Sequence, residues 1–81
     1  MRRFVWTDHA KADLRQVDRE QALQILHSLT RYGHGGEGDV KRLKGSSDFR
    51  LRAGDYRVRF EIQADGSLRI LQVKHRREAY R

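Results

Sequence analysis

The chain has 81 residues and no cysteine, so it can form one domain with a modest hydrophobic core but neither disulfide bonds nor thiolate metal sites. It also lacks an apolar run long enough to span a membrane or to form a signal peptide, and we expect a single cytoplasmic domain over residues 1–81. The net charge of +7 lies entirely in residues 40–81, where twelve Lys and Arg accompany five Asp and Glu. Such asymmetry predicts one basic surface and a polyanionic partner such as nucleic acid, whereas charge that served only solubility would be dispersed and mixed in sign.

The N-terminal residues predict a strand followed by a helix. Residues 4–6, Phe-Val-Trp, form a short β-prone run. Thr7 or Asp8 then offers an N-cap, and the apolar residues that follow recur at helical spacing: Ala10, Leu14 and Val17. His9 and Asp13 lie one helical turn apart, but two side chains make no metal site, so we expect neither a metal nor another cofactor.

A second helix is predicted to follow directly. Asp18 and Gln21 form a capping-box pattern, and the apolar residues behind them fall on one stripe: Ala22, Ile25, Leu26, Leu29 and Tyr32. We expect Gly33 to end this helix as its C′ residue and the two helices to pack as an antiparallel pair. Residues 33–39 are rich in glycine but lack the Gly-Lys-Ser/Thr ending of a P-loop, which favours a connector.

From Phe49 onward the apolar period changes from helical to two, which predicts strands. Gly54 and Asp55 separate two alternating segments and suit a two-residue hairpin loop of type II′ or I′. A third strand over residues 68–74 follows an Asp-Gly turn. Its apolar residues do not share one face, which indicates either a central strand covered on both sides or a β-bulge.

The hairpin register places four arginines on one face of the sheet. With a 54–55 loop, Arg52 faces Arg57 and Arg50 faces Arg59, while the apolar residues pair on the opposite face. Directly opposed like charges destabilise a sheet, on the scale of roughly 0.2–1 kcal/mol per cross-strand pair. A face that carries this cost favours a binding or catalytic surface, since guanidinium groups bind phosphate oxygens bidentately. The alternative is that the long arginine stems cover apolar surface while their charged ends point into water.

Further basic and titratable residues flank these arginines. We predict binding of phosphate or another polyanion such as nucleic acid by the arginines and by flanking residues on both sides: Arg50, Arg52, Arg59, Lys41, Arg42, Lys44, Lys74, His75 and Arg77. His75 is the one histidine in the basic half of the chain, although a histidine beside basic residues is more often a hydrogen-bond donor or a stacking surface than a catalyst.

Three segments in this order resemble the RelE/ParE superfamily of bacterial type II toxins. They are Lys-Arg-Leu-Lys-Gly at 41–45, Phe-Arg-Leu-Arg-Ala-Gly-Asp-Tyr-Arg-Val-Arg-Phe at 49–60 and Val-Lys-His-Arg-Arg-Glu-Ala-Tyr at 73–80. The similarity spans essentially the whole chain and is closest to the RelE-like branch. It implies an α+β fold with an N-terminal strand, a two-helix hairpin, and an antiparallel β-meander that forms a small sheet with the first strand.

The resemblance also implies an activity and partners. RelE-like members are ribosome-dependent endoribonucleases that cut mRNA without a metal and are neutralised by a cognate antitoxin. By similarity the catalytic residues are Arg57, Arg76 and Tyr80, while Arg50 and Arg52 match two basic residues on the preceding strand. The expected partners are therefore an antitoxin, the ribosome and mRNA, and no membrane.

Two other functions stay open at this point. ParE-like relatives inhibit DNA gyrase and lack the catalytic cluster, and a small basic nucleic-acid-binding module would use the arginine face for binding alone. The scarcity of exposed aromatic residues is less typical of a general single-strand binder. Because the sequence ends one residue after Tyr80, we also expect no C-terminal helix.

Overall fold

A five-stranded sheet with two helices packed on one face forms the fold. The computed structural model describes residues 2–79, with side chains described through residue 78. Its elements are β1 (Phe4–Trp6), α1 (Asp8–Arg15), α2 (Arg19–Gly35), β2 (Asp39–Arg42), β3 (Asp48–Ala53), β4 (Tyr56–Ile62), β5 (Leu68–His75) and α3 (Arg76–Ala79). The strand order is β1-β5-β4-β3-β2, with β1 parallel to β5 and the other pairs antiparallel. The expected α+β fold is confirmed, with β2 as an additional edge strand.

Thr7 joins α1 to the sheet. Its hydroxyl accepts a hydrogen bond from the Ala10 N–H at 3.1 Å and donates one to the Ile70 carbonyl at 2.8 Å. Of the two N-cap candidates in the sequence, Thr7 and Asp8, Thr7 is therefore the N-cap residue of α1. Asp18 is the N-cap residue of α2, as predicted, but its side chain makes no capping hydrogen bond, so the capping box is not formed.

The predicted end of α2 at Gly33 is wrong. The helix continues to Gly35, and Gly36 ends it in the left-handed conformation with φ 75° while its N–H donates to the Tyr32 carbonyl at 2.8 Å. Gly33 is buried inside the helix, where an added Cβ would lie 2.7 Å from Cζ of Phe4. The absence of a side chain at Gly33 lets the Phe4 ring approach the helix, so this glycine serves close packing and not termination.

The hydrophobic core lies between the helices and one face of the sheet. Its buried members are Ala10, Ile25, Leu29, Leu51, Ala53, Val58, Phe60, Leu68, Ile70 and Val73. Phe60 is fully buried, and its ring centroid is 5.5 Å from that of Tyr32 and 5.6 Å from that of Phe49. None of the helices in the described part of the chain is long and apolar enough to cross a membrane.

The predicted β3–β4 register is confirmed at every pair. Ala53 pairs with Tyr56, Arg52 with Arg57 and Arg50 with Arg59. Gly54 has φ 60°, and no residue other than glycine has positive φ among residues 2–79, so the 54–55 turn has the φ signs of type II′.

The apolar residues of β5 do not share one face for two reasons: the strand contains a β-bulge, and it lies in the interior of the sheet. Arg59 pairs with Gln72 and Phe60 with Ile70, which leaves Leu71 as the extra residue of a β-bulge. This bulge changes the alternation, so Ile70 and Val73 both reach the core. The strand is also central, because it lies between β1 and β4.

The chain continues beyond β5 as a short helix. Residues 76–79 form α3, so the expectation that no C-terminal helix follows the sheet is wrong. The Arg76 N–H donates to the Asp55 carbonyl at 2.7 Å, one step beyond the last β4–β5 pair, and α3 begins at this residue.

Gly54→Ala is expected to destabilise the protein by about 1–2 kcal/mol, because an L-residue at this positive φ is strained. The new Cβ would also lie 2.9 Å from the Gln24 side-chain oxygen, which must move. Gly35→Ala is the matched control, since nothing lies within 4 Å of its added Cβ and alanine favours a helix. Urea unfolding midpoints measure both changes, and equal midpoints would contradict the assigned turn.

Candidate functional site

Two rows of paired side chains cross the open face of the sheet, opposite the helices. The register gives one row as Lys41, Arg50, Arg59 and Gln72, and the other as Asp39, Arg52, Arg57 and Lys74. Directly paired residues in an antiparallel sheet project from the same face. The predicted arginine pairs therefore continue over four strands, with Lys41 on β2 and Lys74 on β5 at opposite sides.

Carboxylates compensate part of this charge. Arg59 donates from Nε to Oδ2 of Asp48 at 2.7 Å, its Nη2 also lies 2.7 Å from that oxygen, and the Asp48 side chain is only 13% exposed. A guanidinium nitrogen of Arg52 lies 4.0 Å from Oδ2 of Asp39 on β2. The interpretation of the arginine pairs as uncompensated like charges was thus incomplete, and the structure engages Arg59 in an internal ion pair.

Arg57 is held rigidly against the 54–55 turn. This residue is only 8% exposed, and its Nη1 donates to the carbonyls of Gly54 and Tyr56, each at 3.0 Å. These bonds fix the plane of the guanidinium while leaving donors on its other nitrogens for a ligand. Arg57 borders a recess of about 80 Å³ whose lining is almost entirely charged: Asp39, Lys41, Arg50, Arg52 and Arg57. A recess of this size and charge can accept one phosphate group.

The same turn holds Arg76. Besides the backbone bond to Asp55, the Arg76 Nε lies 4.0 Å from Oδ1 of Asp55, and the Arg76 side chain is 57% exposed. The 54–55 turn thus contacts both arginines that the sequence analysis named as catalytic candidates. One is fixed and nearly buried, and the other is exposed at the start of α3.

The structure does not bring every predicted binding residue to the recess. His75 pairs with Tyr56, one step beyond Arg57 and Lys74, and so projects from the helix-bearing face. There it lines a separate recess of about 310 Å³ with residues of α1, including His9 and Asp13. Arg42 pairs with Phe49 and therefore lies on that face too.

The remaining predicted residues lie elsewhere or outside the described chain. Lys44 is in the loop between β2 and β3, and Arg77 is exposed on α3. Tyr80 lies outside the described residues. Over residues 2–79, no group of three or more His, Cys, Asp or Glu side chains is arranged to hold a metal ion.

Sequence reasoning missed two carboxylates of this face, Asp39 and Asp48. The alternation of residues 39–42 was the available signal for β2, but the preceding glycines favoured a connector. Asp48 continues the alternation of Arg50 and Arg52 by one further step, so its position beside Arg59 could have been obtained from the same register.

Asp48→Asn is expected to lower the free energy of unfolding by about 1–2 kcal/mol, because it leaves the Arg59 guanidinium without its carboxylate in a partly buried place. Glu37→Gln is the matched control: the Arg31–Glu37 pair has a similar distance of 3.0 Å but is exposed on both sides, so its loss costs at most about 0.5 kcal/mol. Urea unfolding compares the two variants. Equal losses would show that the Asp48–Arg59 pair is no more stabilising than a surface pair.

Solved structures of toxins share this fold. The chain superposes with a TM-score of 0.77 on a chain of the RelB–RelE antitoxin–toxin complex from Methanococcus jannaschii, at 22% identity and 94% coverage of both chains. For the archaeal RelE–RelB complex from Pyrococcus horikoshii OT3 the TM-score is 0.79, at 23% identity and coverage of 96% and 98%. For the YoeB/ParE toxin from Agrobacterium tumefaciens it is 0.75, at 17% identity and coverage of 90% and 96%.

A match to a sequence family is more specific evidence of relationship than structural similarity at this low sequence identity. No curated protein sequence matches the chain. The family model described as the ParE toxin of the type II toxin–antitoxin system parDE, however, matches residues 4–80. Nearly the whole chain, from β1 through α3, is included in this match. The chain therefore belongs to the ParE toxin family of type II toxin–antitoxin systems, within the RelE/ParE superfamily.

Proposed function

We propose that this toxin is a ribosome-dependent endoribonuclease that cuts mRNA. The observation that carries the proposal is the shared contact of Arg57 and Arg76 with the 54–55 turn, beside a cationic recess. A fixed, nearly buried guanidinium next to an exposed one is suited to binding a phosphodiester and stabilising the negative charge that develops on it.

The proposed reaction uses the nucleophile that RNA itself carries. The 2′-hydroxyl loses its proton and attacks the adjacent phosphorus, which forms a 2′,3′-cyclic phosphate; the bond to the 5′-oxygen of the next nucleotide breaks, and that oxygen takes up a proton from water. Arg57 and Arg76 bind the phosphoryl oxygens as negative charge develops. Arg50 and Arg52 hold the neighbouring backbone, and Tyr80, assigned by resemblance, receives or positions the proton of the 2′-hydroxyl. An arginine is unsuitable as the base because it stays protonated.

The shallow site gives the ribosome a role in this proposal. The cationic recess holds about 80 Å³, which is enough for a phosphate but not for a nucleotide. Effective attack requires the 2′-hydroxyl in line with the leaving oxygen. We propose that the ribosome holds the mRNA in this geometry and that free RNA is cut poorly.

A cognate antitoxin is the second proposed partner, in keeping with the toxin family and with relatives solved as RelB–RelE complexes. The basic half of the chain makes an acidic segment electrostatically suitable as the contact. Co-purification with the product of the neighbouring gene at moderate salt tests this partner, and its failure to yield a complex would contradict it.

Inhibition of DNA gyrase is the second candidate function, favoured by the description of the matching family as ParE toxin. One experiment separates the two. The toxin is added to an in vitro translation reaction whose mRNA is mapped by primer extension, and in parallel to a gyrase supercoiling reaction. We expect new mRNA ends only when ribosomes are present, and unchanged supercoiling. Uncut mRNA together with inhibited supercoiling would replace the nuclease with the gyrase inhibitor.

A further inference from the structure

The imidazole of His75 is held in one orientation at the end of β5. His75 is paired with Tyr56 across the sheet, and the two rings meet edge to face, with centroids 5.4 Å apart and planes at 85°. This arrangement is a favoured one for aromatic rings, and it restricts rotation of the imidazole. The ring therefore faces the helix-bearing side of the sheet and not the arginine face.

In this orientation the imidazole caps α3. His75 immediately precedes the helix, at its N-cap position, and its Nδ1 accepts a hydrogen bond from the N–H of Arg77 at 3.3 Å. N-cap side chains accept from the second or third N–H of a helix, and Arg77 is the second residue of α3. To accept this bond, Nδ1 must be unprotonated, which assigns the proton of the neutral ring to Nε2.

The cap supplies an acceptor for one of the first N–H groups of α3. The first N–H groups of a helix have no partner within the helix. Here the Arg76 N–H donates to Asp55, at 2.7 Å, and the Arg77 N–H donates to His75. One acceptor belongs to the turn that also fixes Arg57, and the other belongs to the last residue of β5. Together they set the direction in which α3 leaves the sheet, and with it the place of Arg76.

We propose that His75 is a positioning residue for Arg76. Its Nδ1 fixes the first turn of α3, and this keeps the Arg76 side chain beside the 54–55 turn. His75 thus acts through the backbone of α3 and does not bind RNA. The consequence for cleavage rests on the proposed nuclease function, whereas the cap itself does not.

Two substitutions separate capping from every other role of this ring. His75→Phe keeps an aromatic ring against Tyr56 but removes the acceptor, while His75→Asn removes the ring and supplies a favoured N-cap acceptor. At saturating ribosome concentration, we expect His75→Phe to lower the rate of mRNA cleavage about fivefold, the usual effect of losing a cap on a helix equilibrium. We expect His75→Asn to stay within about twofold of the unsubstituted protein. The ribosome concentration for half-maximal cleavage stays unchanged in both.

Amide hydrogen exchange tests the capping hydrogen bond independently of cleavage activity. Amide hydrogen exchange at Arg77 is expected to be about fivefold faster in His75→Phe and near normal in His75→Asn. His27→Phe, at an exposed histidine of α2, is the matched control for the substitution itself and leaves both measurements unchanged. Thermal unfolding midpoints verify that all three variants remain folded.

Each other outcome overturns the proposal. If His75→Asn loses as much cleavage as His75→Phe, the imidazole nitrogens contact RNA or the reacting groups and the cap is not what matters. If His75→Phe retains normal exchange at Arg77 and normal cleavage, the cap does not position Arg76. Failure of the proposed nuclease function is distinguishable, because then the unsubstituted protein does not cut mRNA while Arg77 exchange still decides whether His75 caps α3.

Discussion

Arg57→Lys is expected to reduce ribosome-dependent mRNA cleavage by about 10²- to 10³-fold, although it preserves the positive charge. Loss of one oriented donor to a developing oxyanion has an effect of this size. The Arg57 guanidinium bonds the carbonyls of Gly54 and Tyr56 through one nitrogen and offers the others to a phosphate. A lysine ammonium is a single point and cannot replace both sets of bonds in the same geometry. Arg76→Ala should lower cleavage by the same order, since it removes the second phosphate contact.

Arg59→Lys is the control for the Arg57 prediction. Arg59 lies on the same strand and face, two residues further along, but its guanidinium is bound to Asp48. We expect cleavage within severalfold of normal and a small loss of stability. Cleavage is measured by primer extension on translating ribosomes, with unfolding midpoints measured alongside. Equal losses in the two lysine variants would show that the face acts only through its summed charge.

Tyr80→Phe is expected to lower cleavage by about 10²- to 10⁴-fold while ribosome binding is retained. The substitution keeps the aromatic ring and deletes only the hydroxyl, and this is the scale on which a positioned acid or base contributes. A tyrosine that served packing alone would lose almost nothing. The measurement combines single-turnover cleavage with sedimentation of the toxin on ribosomes.

Tyr56→Phe is the matched control for this hydroxyl deletion. Tyr56 lies on the helix-bearing face against His75, away from the cationic recess, so its cleavage rate should stay near that of the unsubstituted protein. Wild-type cleavage by Tyr80→Phe would remove Tyr80 from the reaction. Under gyrase inhibition, Tyr80→Phe would remain toxic while mRNA stayed uncut in both proteins.

The β3–β4 hairpin is the part of the fold that the sequence specifies most directly. Apolar and arginine residues alternate on both sides of Gly54 and Asp55, and a slip by one residue would bury arginines. The observed register is therefore the predicted one. The end of α2 was not predictable in this way, because several glycines follow one another and any of them can adopt the left-handed conformation. The contact that requires a glycine at position 33 comes from the ring of Phe4, 29 residues earlier in the sequence.

The sequence predicts which charged residues lie on the candidate site but not which residues they form ion pairs with. The pairing of Arg50 with Arg59 followed from local alternation, whereas the ion pair of Arg59 with Asp48 depends on side-chain geometry across two strands. The face on which His75 lies depends on its pairing with Tyr56, after a β-bulge that composition does not reveal. Local periodicity thus predicts which residues share a strand face, while contacts between strands decide which of them stay available to a ligand.

The parallel pairing of β1 with β5 has a consequence for when this toxin can become active during its own synthesis. Phe4 pairs with Leu68 and Trp6 with Ile70, so β1 has no partner strand in this sheet until β5 has been synthesised. Such distant pairings form late in folding. β5 also leads directly into α3 and places Arg76 beside the 54–55 turn. A nascent chain therefore completes neither its sheet nor its cationic site until β5 and the start of α3 have left the ribosome.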